Sequence, residues 1–226
     1  MPLGPERWLV DLPRRPEDPP GVARVSQLLP AGYASYLRLF HPFRAWDAPS
    51  TDPVRRSWRE LAAEARVSYH AELDWDSLLP ALDAPDGERR FEVAEGEIAS
   101  PTRAALFRQL EQHTVAPVHV YFGLGAMVAG GEPLLYRAPA DAIEAARDRA
   151  AHVGGRVVPG PELVWPEDRS WVLRTDYDLA SSYIACDPAL ASSIAADPAL
   201  EVVPVTRGMR VDDRSDTLNR PDDRTR

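Results

Sequence analysis

The stretch WPEDRSWVLRTDYDLASSYIACDPALASSIAADPALEVVPV, residues 165–205, carries the sharpest structural punctuation in the chain. It reads as strand, polar turn, capped helix, strand. Ser170 to Thr175 alternates, with Trp171, Leu173 and Thr175 on one face and Val172 and Arg174 on the other. Asp176, Tyr177 and Asp178 crowd acidic and aromatic groups at the strand's end, and the SSY that follows reads as further turn chemistry. Asp187-Pro188 predicts a helix start, because Asp offers an acceptor to the first backbone N–H groups while Pro loses no needed donor. Leu190 and Ile194 share a face, Asp197-Pro198 stops the helix, and Glu201 to Val205 resumes as a strand.

The same grammar runs through the preceding chain. Tyr33 to Phe40 alternates Tyr36, Arg38 and Phe40 against Leu37 and Leu39, which reads as a strand ended by His41-Pro42, although a short helix fits nearly as well. Asp52-Pro53 opens a helix with Val54, Trp58, Leu61, Ala62 and Ala65 on one stripe. Tyr69 to Trp75 alternates weakly, and residues Pro80 to Glu88 form a turn-rich connection. Ser100-Pro101 starts a helix that turns Leu106, Phe107 and Leu110 inward. Val118 to Gly123 reads as a strand buried on both faces, with a Gly-rich hairpin after it. Pro139 and Asp141 introduce a helix bearing Ile143, Ala146 and Ala150, closed by Gly154-Gly155. Local hairpins mixed with crossovers predict an α+β fold: one globular domain over residues 23–206, with a mixed sheet and about four packed helices. Residues 1–22 are a Pro-rich segment in which Trp8 to Val10 adds an edge strand or packs on the core. Residues 207–226, nearly free of large apolar groups, are expected to be disordered.

Composition excludes several function classes. The 226 residues hold no lysine, so a Schiff-base enzyme, a phosphate-loop nucleotidase and a Ser-Lys hydrolase each lack their amine. Coding bias accounts for Arg in place of Lys more simply than selection for bidentate chemistry. The net charge of -9 argues against binding a nucleic-acid backbone. Cys186 is the only cysteine, which rules out an internal disulfide and a CxxC pair and suits a cytoplasmic protein; it reads as a small buried residue. Pro and charge interrupt the N-terminus where a signal peptide needs an apolar core, so neither secretion nor a membrane is expected.

Five sets of residues bear on chemistry or binding. Asp168, Asp176 and Asp178 could bind a divalent cation or supply a general base, although Arg169 and Arg174 stand close enough to make them salt bridges around Trp171. His41, His70 and His119 could join Asp176 in a metal site if the fold gathers them, while His113 and His152 suit helix C-termini. Gly123, Gly125, Gly130 and Gly131 lack the spacing of a phosphate cradle and suit a hairpin. Ser181 and Ser182 lack the GxSxG context of a hydrolase nucleophile. Among the aromatic residues Trp58 and Trp171 read as core, whereas Trp165, Tyr177 and Tyr183 sit among polar residues and suit contact with a partner.

The combination LLPAGYASYLRLFHPF, SWRELAAEA, HTVAPVHVYFGL and WPEDRSWVLRTDYDLASSYIACDPAL resembles an uncharacterised family of actinobacterial cytosolic proteins, from about Leu28 to Val205. That resemblance implies no catalytic residue. LPAGYASYLRLF also resembles the entry motif of the SUKH superfamily, whose members include toxin-neutralising immunity proteins, but His41-Pro42 stands where that motif has Asn-Gly. The expectation is a non-enzymatic, immunity-like binding protein that needs no cofactor and meets a basic protein partner through Trp165, Asp168, Asp176, Tyr177, Asp178 and Tyr183. The alternative is a metal- or small-molecule-dependent enzyme whose pocket gathers Asp176, Asp178 and one or more of His41, His70 and His119.

Overall fold

Alternating apolar residues at two-residue spacing build the centre of the molecule. A computed structural model describes residues 4–10, 12, 18–45, 55–82, 90–123, 132–150 and 160–220. The strands are β1 (Ser35–Phe40), β2 (Phe43–Ala45), β3 (Arg55–Arg56), β4 (Phe91–Val93), β5 (Val118–Phe122), β6 (Leu134–Ala138), β7 (Leu163–Pro166), β8 (Val172–Thr175), β9 (Ser181–Cys186) and β10 (Val202–Pro204). The α-helices are α1 (Arg7–Val10), α2 (Val25–Leu28), α3 (Trp58–Ala65), α4 (Leu79–Leu82), α5 (Ser100–Gln112), α6 (Ile143–Ala150) and α7 (Pro188–Ala196). Seven strands form one sheet in the order β10-β1-β9-β8-β7-β5-β6, and β3-β2-β4 form a second. Every strand pairing is antiparallel, so the fold is α+β with an antiparallel sheet in place of the expected mixed one.

The large sheet has two differently dressed faces. Leu37, Leu39, Val118, Val120, Val164, Trp171, Leu173 and Ile184 point to one side, where α5, α6 and α7 contribute Leu106, Leu110, Ile143, Leu190 and Ile194 to a continuous core. Leu163, Trp165, Val172, Tyr183 and Ala185 point to the other. Their cover is Leu9 of α1, Val25 and Leu28 of α2, and Val205 and Val211 near the C-terminus. A third core, around Trp58, Phe40 and Phe43, joins the small sheet to α3 and α4. No helix among the described residues is long and apolar enough to cross a membrane.

Several expectations change. The residues SSY belong to β9, a six-residue strand that lies between β1 and β8 and is buried throughout. Serine hydroxyls tolerate that burial only when bonded, and Arg38 Nε donates to Ser181 Oγ at 2.9 Å. α3 is capped by Ser57 and begins at Trp58; Asp52-Pro53, where the start was expected, lies outside the described residues. Ser57 and Glu60 form a reciprocal capping box, and Glu201 accepts the Trp58 and Arg59 N–H groups at 2.8 Å each. β5 is buried only at alternate positions rather than on both faces. The Gly-rich stretch 124–131 and Gly154-Gly155 lie outside the described residues. Of the two expectations for Trp8 to Val10, packing on the core holds and the edge strand does not: the segment is helical, with Leu9 fully buried. Residues 207–220, expected to be disordered, are docked through polar groups: Ser215 and Asp216 are buried although the segment has few apolar anchors.

Candidate functional site

The acidic turn between β8 and β9 forms as expected, at the surface. Asp176 Oδ1 accepts the Asp178 N–H at 3.3 Å and the Asp176 carbonyl accepts the Leu179 N–H at 3.1 Å, which closes the turn. The Leu179 carbonyl then accepts the Gly96 N–H at 3.1 Å. Gly96 has φ +68°, and a Cβ there would stand 2.6 Å from Tyr177 Cα, so only glycine lets the two loops meet. Docked this way, Tyr177 is 44% exposed. A hydrogen bond to Asp178, with Asp178, Asp176 and Glu162 charges nearby, holds its phenol above the ordinary range. Burial and then Asp178 push Glu95 up in turn. Tyr177 thus stands in the field of three carboxylates, Asp178, Asp176 and Glu162, and Arg174 Nη2 pairs with Asp176 at 3.2 Å.

Three other interaction candidates do not belong to this surface. Trp165 and Tyr183 are each 1% exposed, because β7 and β9 are interior strands and both side chains enter the core on the terminus-covered face. Asp168 is exposed but lies at the opposite end of β8, where it accepts the Ser170 N–H at 2.9 Å.

The proposed histidine set is not assembled. His41 follows β1 and His119 lies in β5, four strand positions away, which is roughly 19 Å at about 4.8 Å per strand. His119 stacks on Trp165 at 5.0 Å. His70 Nδ1 accepts the Glu72 N–H, so Nε2 carries the proton and donates to Asp216 Oδ1 at 2.9 Å. Asp176 is paired with Arg174. Among the described residues no group of three or more His, Cys, Asp or Glu could hold a metal ion.

Two arrangements escape a reading of the sequence. The first is a polar island on the helix-covered face. His41 Nδ1 donates to the Ala94 carbonyl at 2.8 Å, leaving Nε2 to accept from Ser182 Oγ at 2.9 Å; Thr175 Oγ1 then donates to Ser182 at 2.9 Å. A serine, a base and an orienting acceptor stand in the order that activates a nucleophile. His41 and Ser182 are both wholly shielded from solvent, however, so substrate cannot reach the hydroxyl. Burial lowers the His41 pKa to about 4, against the Ala94 bond that raises it and with Arg38 lowering it further. The island satisfies buried polar groups. His41 and Ser182 are 141 residues apart, and no local pattern links them.

The second is a cleft of about 740 Å³ between residues 19–24 and the docked C-terminal segment. Arg24, Arg210, Arg214 and Arg220 line it together with Glu72, Asp213 and Asp216. Asp216 is tied down by Ser77 Oγ at 2.7 Å and Asn219 Nδ2 at 2.8 Å besides His70. Arg220 bridges Asp74 and Asp76 at 2.8 and 2.9 Å. The only sequence signal was the density of Arg and Asp after residue 206, which also describes a disordered tail. Cys186 is buried as expected, and burial with Asp187 nearby pushes its thiol up to about 12.

Comparison of the chain with protein-family profiles, with curated proteins and with solved structures found no match.

Proposed function

We propose that this is a non-enzymatic binding protein that recognises a basic segment of a protein partner through the turn Asp176-Tyr177-Asp178, in the manner of an immunity protein. The observation that carries this reading is an exposed tyrosine in the field of Asp178, Asp176 and Glu162. An aromatic side chain supplies contact area at low entropic cost, and the surrounding carboxylates speed encounter with a cationic partner and exclude anionic ones. The Gly96 contact and the turn hydrogen bonds fix the loop before binding, which lowers the ordering cost of association. The cytoplasm and the resemblance to immunity proteins belong to the same proposal. The enzyme alternative loses its residue set, since His41, His70, His119 and Asp176 are held apart or paired.

The test is native mass spectrometry of tagged protein recovered gently from host lysate, wild type beside a variant with Asp176→Ala, Tyr177→Ala and Asp178→Ala. The expected result is a discrete heteromer with a basic partner, lost in the variant while circular dichroism is unchanged. Equal recovery of the heteromer by a folded variant removes this surface from the interface.

A further inference from the structure

We propose that the cleft between residues 19–24 and 210–220 binds a small ligand through a phosphate or carboxylate group, held by Arg24, Arg210 and Arg214. At about 740 Å³ the cleft is large enough for a small molecule, whose sites span roughly 300–1,000 Å³. With no lysine in the chain, every strong cation is an arginine, and its planar fork matches an oxyanion.

Two of these arginines are braced from behind. Arg24 Nε donates to Asp18 Oδ1 at 2.7 Å and Nη1 to the Gly208 carbonyl at 2.6 Å, leaving Nη2 without a partner among the described residues. Arg210 grips Asp212 through Nε and Nη2, leaving Nη1 likewise. The exposed Arg214 side chain makes no hydrogen bond or ion pair among the described residues. Arg220 is committed to Asp74 and Asp76 and serves as a strut.

The hydrogen bonds of two lining carboxylates point away from the free Arg24 Nη2 and Arg210 Nη1 donors. Asp216 has no side-chain exposure and is spent on His70, Ser77 and Asn219, and Glu72 Oε1 accepts the Arg210 N–H at 2.7 Å. Asp213 has no hydrogen bond to its carboxylate among the described residues, and its charge reaches Arg210 together with that of Glu72. The ligand therefore bridges the two walls: Arg24 lies on the N-terminal side, and Arg210 and Arg214 on the C-terminal side. This site is separate from the Tyr177 turn, and neither reading depends on the other.

The experiment is calorimetric titration of the full chain with inorganic phosphate, pyrophosphate and succinate at constant ionic strength, repeated on Arg214→Ala and Asp213→Asn. Both positions are exposed, so both variants keep the fold. Saturable binding of one equivalent is expected, weakened roughly tenfold by Arg214→Ala and tightened a few-fold by Asp213→Asn. Response to phosphate or pyrophosphate alone assigns a phosphate group; response to succinate alone assigns a carboxylate. Absence of saturable heat with all three probes overturns the proposal. So does binding that neither substitution changes.

Discussion

The two faces of the large sheet are covered by different physics. On one, α5, α6 and α7 lay apolar stripes over Trp171, Leu173 and Ile184, with the His41 island as a sealed exception. On the other, short N-terminal helices and residues 205–220 wrap the sheet, and much of the outer layer is fastened by buried carboxylates and arginines. Apolar packing is indifferent to pH and salt, whereas charge-assisted bonds respond to both. The helix-covered face is built for stability, and the strap-covered side holds the cleft of about 740 Å³.

The contrast can be broken by mutation. Trp171→Ala removes a buried indole and the bond from its Nε1 to Thr114 Oγ1 at 2.8 Å. It should cost about 3–5 kcal/mol and lower the whole unfolding transition in chemical denaturation. An equally large effect confined to the strap would remove the distinction between the faces.

The His41 island should give the helix-covered face a strong pH response on the acid side. The unfolded ring protonates near the ordinary 6.5 and the folded one near 4, so between those values the unfolded chain binds more protons. Stability is therefore full above pH 6.5 and falls as pH drops toward 4, by about 3 kcal/mol in all. Denaturant midpoints measured across this range should show the slope, and His41→Gln should flatten it.

Asp216→Ala probes the strap. It leaves His70, Ser77 and Asn219 without their acceptor and should cost about 2–3 kcal/mol. Hydrogen exchange should rise in residues 207–220 while β8 and β9 stay protected; a uniform rise would show that the strap and the sheet unfold as one. The pKa of Asp216 is depressed, its polar bonds outweighing burial. Its contribution is accordingly present above the unfolded value near ~4 and lost as pH falls through the lower folded value. The smallest effect belongs to Cys186, whose buried thiol should remain unlabelled by a thiol reagent in the native protein and react on unfolding.

Legibility in the sequence followed the strength of local signals. The Trp171, Leu173, Thr175 face and the Asp187-Pro188 start were readable, because pleating and capping act within a few residues: Asp187 Oδ1 accepts the Leu190 N–H at 2.8 Å. β9 was not, because two serines in a row resemble a turn until Arg38, His41 and Thr175 supply their hydrogen bonds. Trp165 was misplaced for the related reason that polar neighbours on a strand end do not reveal whether the strand is central. Asp176, Tyr177 and Asp178 were placed at the surface correctly, but their contact with Gly96 was invisible.

The chain by itself determined an α+β fold, the alternation of β1 and β8, the stripes of α3, α5 and α7, and the absence of a lysine amine. Periodicity, capping and composition are properties of neighbours in sequence. Only the tertiary structure decided that β9 lies inside the sheet, that His41 meets Ser182 and that the two ends of the chain enclose a cleft. Those contacts join residues more than a hundred positions apart, and a buried polar group declares its partner only when the folded chain brings it within bonding distance.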